Sequence, residues 1–200
     1  MIDHLLIDII DALHRSFDQA LLQRQAVEER FQVDVFLGDL SFETSYSLPG
    51  EDPPPRVRAD LSFDWPTWSQ TAYRSWAIGE EPDEIPEVLV EIAFRVQGLL
   101  GVPEVGPLLD VVPPQLEVIG DEPLARGPAT IEQLLLDGPD APECAVEVSY
   151  EGSCPLDDAI LEDPTKLDDL LAPLGRTVAS VLVRIGDLPF TFRPAETPPV

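Results

Sequence analysis

Basic side chains are scarce in this 200-residue chain. Twelve Lys and Arg stand against 38 Asp and Glu, Lys166 is the single lysine, and the formal net charge is -26 at pH 7. Nucleic acids and anionic lipids are held by clustered cations that displace counterions. The composition therefore excludes sequence-independent nucleic-acid binding and argues against docking on an anionic membrane. A protein partner with a basic surface suits this charge better.

Histidine and cysteine, which carry much of enzyme chemistry, are also rare. The two histidines, His4 and His14, lie near the N-terminus, and the two cysteines are Cys144 and Cys154. Nucleophilic catalysis and tetrahedral zinc sites need more of these side chains, or a different placement. Glycine-rich phosphate-binding motifs are missing as well. We therefore predict no catalytic residue, no metal site and no cofactor.

Long hydrophobic runs are missing too. The richest run, residues 99–112, is interrupted by Pro103, Glu104, Pro107 and Asp110, so we expect no membrane span. The first residues lack the basic segment and the cleavage site of a secretory signal. Two cysteines are compatible with a reducing compartment, where a disulfide between them is not needed. These observations predict a cytoplasmic protein.

Apolar residues at three- and four-residue steps dominate residues 2–21, where Leu6, Leu13 and Phe17 share one stripe. This period predicts a long amphipathic N-terminal helix. The stripe must pack on something, either the sheet of its own domain or a partner. We expect docking on another subunit or self-association, with Arg15 against an acid of the second copy.

Further along the chain the apolar period changes from 3.6 to 2. Alternation predicts strands over residues 31–48 with a bend at Gly38, and over residues 56–65, 87–99 and 143–151. Four of these segments share the order acid, aliphatic, small, aromatic. The copies begin at Asp39, Asp60, Glu91 and Glu147. Because successive strand residues point to opposite faces, the order predicts one apolar sheet face and one acidic face of low profile.

Other segments are less regular. Residues 68–78 are interpreted as a further strand, and residues 130–136 as a short helix with Thr130 and Gln133 at capping-box spacing. Residues 155–174 are expected to hold one or two short helices that end at Gly175. Residues 177–185 are β-branched and are interpreted as a final strand. The proline- and glycine-rich stretch 101–129 is the candidate divide in what we interpret as a single domain, residues 1–200.

These patterns predict an α+β fold, with a mainly antiparallel sheet, the long N-terminal amphipathic helix and short C-terminal helices. One cluster also indicates a binding surface, because all three tryptophans lie within twelve residues. Such a cluster is either part of the core or an interface patch whose acidic rim would suit a basic partner. The members of the candidate patch are Trp65, Trp68, Tyr73, Arg74 and Trp76.

Together, these features favour a non-catalytic protein-protein interaction or assembly subunit of a cytosolic complex. The interacting surfaces would be the N-terminal helix and an acidic surface that contains aromatic residues. Two alternatives stay open: a carboxylate-based hydrolase, with or without a metal, and a small-ligand-binding domain. With 38 acids, a pair of carboxylates at catalytic distance is expected by chance, so composition alone does not separate these functions.

Overall fold

Alternating apolar and polar residues form the antiparallel strands that dominate the fold. The computed structural model describes residues 11–12, 15, 28–36, 39–49, 54–119, 122–134, 142–163 and 165–194. Its strands are β1 (Glu28–Phe36), β2 (Asp39–Ser47), β3 (Val57–Trp65), β4 (Glu87–Leu100), β5 (Gln115–Ile119), β6 (Glu122–Arg126), β7 (Thr130–Leu134) and β8 (Glu143–Pro155). Its helices, apart from the few described residues before β1, are α1 (Thr67–Ala77), α2 (Gly106–Val111), α3 (Asp158–Glu162) and α4 (Lys166–Gly186).

All eight of these strands belong to one sheet, and every pairing is antiparallel. Seven follow the order β1-β2-β3-β4-β8-β6-β5, and β7 pairs with β8 alongside β6. The register is continuous across β1, β2 and β3, with Phe42 opposite Val33 on one side and Phe63 on the other. Consecutive strands of the N-terminal half therefore form a meander, and β8 returns to the centre of the sheet beside β4.

The two faces of the sheet differ as the acid-aliphatic-small-aromatic pattern predicts. Phe42, Phe63, Phe94 and Tyr150 are buried, with exposures of 0–4%. The acid of each copy lies on the opposite face, because it is an even number of residues from the small residue and an odd number from the aromatic one. The predicted assignment of the faces is confirmed.

One long helix, α4, covers the apolar face. Its buried side chains recur at three- and four-residue steps and join the core formed by the sheet. They include Leu167, Leu171, Leu174, Val178, Leu182 and Ile185. The helix spans 21 residues and continues through Pro173 and Gly175. No helix of the described residues is long and apolar enough to cross a membrane.

The predicted fold class is wrong in its helical part. The C-terminal helices were expected to be short, yet α4 has 21 residues and includes the segment 177–185 that was interpreted as a strand. The long N-terminal helix is not seen either. Only Asp11, Ala12 and Arg15, all three helical, are described there, while Leu6, Leu13 and Phe17 lie outside the described residues. The fold is mostly an antiparallel sheet with helices late in the chain.

Two further segments have a different secondary structure from the one predicted. Residues 68–78 were interpreted as a strand but form helix α1, which begins after Pro66. Residues 130–136 were interpreted as a capped helix, but Thr130–Leu134 form strand β7, paired with Glu143–Glu147 of β8. Pairing with a central strand outweighs the local capping signal, because it satisfies the backbone groups that face β8.

The described residues near the N-terminus pack on this same chain. Ala12 is fully buried in the core, and the guanidinium of Arg15 bonds both carboxylate oxygens of Asp168 at 2.9–3.2 Å. The acid that we expected in a second copy is thus supplied by α4 of the same chain.

Candidate functional site

The face of the sheet opposite α4 is the candidate site, and the register arranges its side chains in transverse rows. A carboxylate row crosses β2, β3, β4 and β8. A low row of small side chains and one acid lies next to it, followed by a row that contains two arginines. The carboxylate row is Glu43, Ser62, Glu91 and Glu151; the low row is Ser45, Asp60, Ala93 and Ser149; the arginine row is Ser47, Arg58, Arg95 and Glu147.

Because the side chains of the low row are short, a trough runs across the strands between the longer side chains of the carboxylate row and the arginine row. The trough has a volume of about 410 Å³ and opens to solvent. Its lining residues belong to β2, β3, β4 and β8, and no described helix contributes to it. Neighbouring strands lie about 4.8 Å apart, so three strand spacings give the four-stranded trough a length of about 14 Å. That length matches four to five residues of an extended peptide.

Both arginines of the trough are engaged by acids of the same chain. The Arg58 Nε atom lies 2.7 Å from Oδ2 of Asp60, whose other oxygen accepts a hydrogen bond from Ser45. Arg95 Nη1 lies 3.0 Å from Oε2 of Glu147, and its Nη2 donates to Glu132. Hydrogen bonding to Glu132 is the main cause that raises the pKa of Arg95. These pairs leave little free positive charge in the arginine row.

The carboxylate row is not neutralised in this way. Within the described residues, no salt bridge joins Glu43, Glu91 or Glu151 to a basic side chain. Partial burial, followed by the negative charges of Glu151 and Glu147 and then of Asp64 and Glu43, raises the pKa of Glu91. Among the described side chains, the centre of the trough therefore has an excess of negative charge that no basic group balances.

The acids of the repeated pattern have different roles. Asp60, Glu91 and Glu147 line the trough, as the acidic-face prediction requires. Asp39 lies at the end of β2, where its Oδ1 accepts hydrogen bonds from the backbone N–H and the hydroxyl of Thr67, at 2.6 and 2.7 Å. These bonds lower the pKa of Asp39. Asp39 thus fixes the start of α1.

Sequence reasoning missed four residues of the two rows that flank the trough, namely Glu43, Arg58, Arg95 and Glu151. Each lies two or four residues from an acid of the repeated pattern, so it shares the same face of its strand. Extending the alternate-residue rule along each strand would have found them. Identifying which of these residues are neighbours on adjacent strands requires the register of strand pairing, and no single segment of sequence contains that information.

The tryptophan cluster is divided between the core and the surface. Trp65 is fully buried, and its indole N–H donates to Ser69 Oγ at 3.0 Å. Tyr73 lies between Trp65 and Trp76, with ring centroids 5.6 and 6.0 Å away. Trp76 donates to Asp158 Oδ1 at 2.9 Å and so ties α1 to α3. Trp68 is 43% exposed, and Arg74 is exposed too.

Neither the thiols nor the acids of the described residues form a centre for metal or redox chemistry. No group of three or more His, Cys, Asp or Glu among them is arranged to hold a metal ion. Cys144 and Cys154 are both buried free thiols. They are ten residues apart on β8, about 33 Å along an extended strand, which is too far for a disulfide. Burial raises the pKa of Cys154 to about 12.

Comparison with known protein families, with characterised proteins and with solved structures finds no match to this chain. Function is therefore inferred from the geometry and the charge of the trough.

Proposed function

We propose that this protein is a non-catalytic interaction module that binds a basic segment of a protein partner across the open face of its sheet. The observation that carries the proposal is the carboxylate row of Glu43, Glu91 and Glu151 beside the trough, which no described basic side chain neutralises. A cationic side chain placed there would relieve the repulsion that, after partial burial, raises the pKa of Glu91. Complementary charge of this kind contributes mainly to orientation and association rate.

The dimensions of the trough support an extended peptide as the bound segment. Its length of about 14 Å accommodates four to five extended residues. Its volume of about 410 Å³ is open on the solvent side, so a continuing chain can enter and leave. Several contacts with basic side chains are needed, because a single exposed ion pair contributes only about 0.2–1 kcal/mol.

We place this interaction in the cytoplasm. Two buried thiols that are too far apart to pair remain reduced without strain in a reducing compartment. A cytosolic complex that presents a basic segment to the trough is the proposed setting.

A carboxylate-based hydrolase is the second candidate, and Glu91 is the observation that favours it. A carboxyl group with a raised pKa in a concave site is the usual form of a general acid. Partial burial, followed by the charges of four other carboxylates, accounts for the direction of this shift without any catalytic role. A small substrate turned over by the wild type but not by Glu91→Gln would favour the hydrolase.

Chemical-shift mapping tests the binding proposal. The probe is a nine-residue peptide of alternating arginine and serine, added to ¹⁵N-labelled protein. We expect the largest shifts in the amide signals of Ser45, Asp60, Ala93 and Ser149, which form the floor of the trough. A peptide with citrulline in place of arginine has the same shape without the charge, and it should leave these signals in place. Equal shifts with the citrulline peptide, or shifts confined to other surfaces, would contradict the proposal.

A further inference from the structure

A second surface groove lies beside α1, away from the rows of the trough. Its helical wall consists of residues at three- and four-residue steps, and its other wall is the acidic loop before β4. The groove has a volume of about 430 Å³ and is lined by Trp68, Thr71, Ala72, Ser75, Asp83 and Glu84. None of these residues lines the trough.

The backbone explains why the loop returns along the helix. Gly79 has φ +80°, a conformation that favours glycine, and it ends α1 with two hydrogen bonds. The N–H of Gly79 donates to Trp76 O, and that of Glu80 donates to Ser75 O, both at 2.9 Å. At the other end, the N–H of Glu87 donates to Ser69 Oγ at 2.8 Å. The loop therefore runs from the end of the helix back to its first turn, which brings Asp83 and Glu84 beside the helix.

Trp68 differs from the other two tryptophans in the groups that surround it. The indole N–H groups of Trp65 and Trp76 donate to Ser69 and Asp158. Trp68 is 43% exposed, and its indole N–H donates to no described residue. The small residues Thr71, Ala72 and Ser75 follow it along the groove, so one side of the indole remains accessible.

The groove thus combines an accessible aromatic ring with two exposed carboxylates. An aromatic face attracts a cation electrostatically, and carboxylates accept its hydrogen bonds. A guanidinium group suits both, because it is planar, stacks on aromatic rings and donates in a fork that matches a carboxylate. A neutral apolar group would leave Asp83 and Glu84 without a compensating charge. Asp83 and Glu84 themselves remain exposed to water.

We propose that this groove binds a single arginine side chain of a protein partner, stacked on Trp68 and paired with Asp83 and Glu84. The site is separate from the trough, and it does not require the trough to be functional. A partner with one arginine outside its basic segment would contact both surfaces, and the two contacts would then reinforce each other.

The test uses a blocked pentapeptide of glycine with one central arginine, and its citrulline counterpart, at constant ionic strength. We expect the arginine peptide to shift the indole N–H signal of Trp68 in ¹⁵N spectra, with a dissociation constant in the millimolar range typical of a single side chain. The signals of Trp65 and Trp76 should move less. Absence of a Trp68 shift at saturating millimolar peptide, or an equal shift with citrulline, overturns the proposal.

Matched variants separate specific pairing from general attraction to an acidic protein. Asp83→Asn/Glu84→Gln should weaken binding of the arginine peptide about three- to fivefold. Glu80→Gln/Glu81→Gln removes the same charge from the same loop outside the groove, and it should weaken binding less than about twofold. Equal weakening by both pairs would overturn the proposal. Trp68→Leu keeps an apolar side chain but removes the ring. It should weaken binding of the arginine peptide about two- to fivefold and leave the part of the preference over citrulline that Asp83 and Glu84 supply.

The two proposals fail independently. Glu43→Gln/Glu91→Gln lies in the trough and should leave the pentapeptide affinity within about twofold. If this variant abolishes pentapeptide binding while Trp68→Leu does not, arginine binds in the trough and the groove proposal is wrong.

Discussion

Arg95 and Glu147 lie directly opposite each other on β4 and β8, with Nη1 and Oε2 3.0 Å apart. The same guanidinium also pairs with Glu132 of β7. One arginine thus joins three strands of the sheet. The Arg95 side chain is only 19% exposed, so its charge is screened less than that of a surface arginine.

Replacing Arg95 is expected to destabilise the protein. Arg95→Met keeps the apolar stem but leaves Glu147 and Glu132 without their cation, and we expect a loss of about 1–2 kcal/mol in the free energy of unfolding. Urea denaturation at low salt measures it. Arg74→Met makes the same charge change on the exposed face of α1 and should cost less than about 0.5 kcal/mol. Equal losses would mean that net charge, and not this cluster, accounts for the effect.

The raised pKa of Glu91 makes the stability of the folded protein depend on pH in a defined direction. Its pKa is raised in the folded protein, so between the ordinary value of about 4.5 and the raised value the folded state binds more protons than the unfolded state. The contribution of Glu91 to stability therefore falls as pH rises through this window. Glu91→Gln should be more stable than the wild type at pH 7, by about 0.2–1 kcal/mol.

The difference between Glu91→Gln and the wild type should shrink on acidification and disappear below about pH 4, where both carry a neutral side chain. Thermal unfolding of the two proteins at a series of pH values provides the test. A variant that is less stable than the wild type at pH 7 would contradict the crowding of carboxylates at the trough.

Phe63 tests the assignment of the sheet faces. It is 4% exposed, and its ring centroid lies 6.1 Å from that of Phe42 on the neighbouring strand. Phe63→Ala should cost about 3–5 kcal/mol, the range for deleting a core aromatic side chain. Leu134→Ala, at a position that is 57% exposed, should cost less than about 0.5 kcal/mol in the same denaturation experiment. A small loss for Phe63→Ala would mean that the apolar face is not the core.

Salt should stabilise the protein. A net charge of -26 repels itself in the compact state, and dissolved ions screen that repulsion. We expect the melting temperature to rise between low and moderate sodium chloride concentrations, as measured by differential scanning calorimetry. An unchanged melting temperature over that range would show that the charges are already balanced locally.

The sheet was the part of the fold that sequence reasoning predicted best. Period-2 alternation around Phe42, Phe63, Phe94 and Tyr150 reports which face is buried, and this information is local to each strand. The helices were harder. In α4 the stripe from Leu167 to Ile185 keeps a period near 3.6, but Pro173 and Gly175 interrupt it as apparent stop signals, and the β-branched residues after them suggest a strand.

The trough was predictable only in part. The acidic face follows from the position of Asp60, Glu91 and Glu147 within their strands. The alignment of three carboxylates across the sheet depends on the register between distant segments. So does the pairing of both arginines with other acids. For the same reason, the prediction for Arg15 named the correct kind of partner, an acid, but placed it in another chain rather than at Asp168.

The affinity of the trough for the alternating arginine-serine peptide tests the central claim most directly. Fluorescence anisotropy compares the wild type with Glu43→Gln/Glu91→Gln/Glu151→Gln, which neutralises the carboxylate row. The control, Glu104→Gln/Glu122→Gln/Glu162→Gln, removes the same charge at exposed positions outside the trough. We predict that the row variant binds about tenfold more weakly, within the range of about 3- to 150-fold that three lost pairs of about 0.2–1 kcal/mol each would give, and that the control changes affinity less than about threefold. Equal affinities of the two variants would contradict a binding site in the trough.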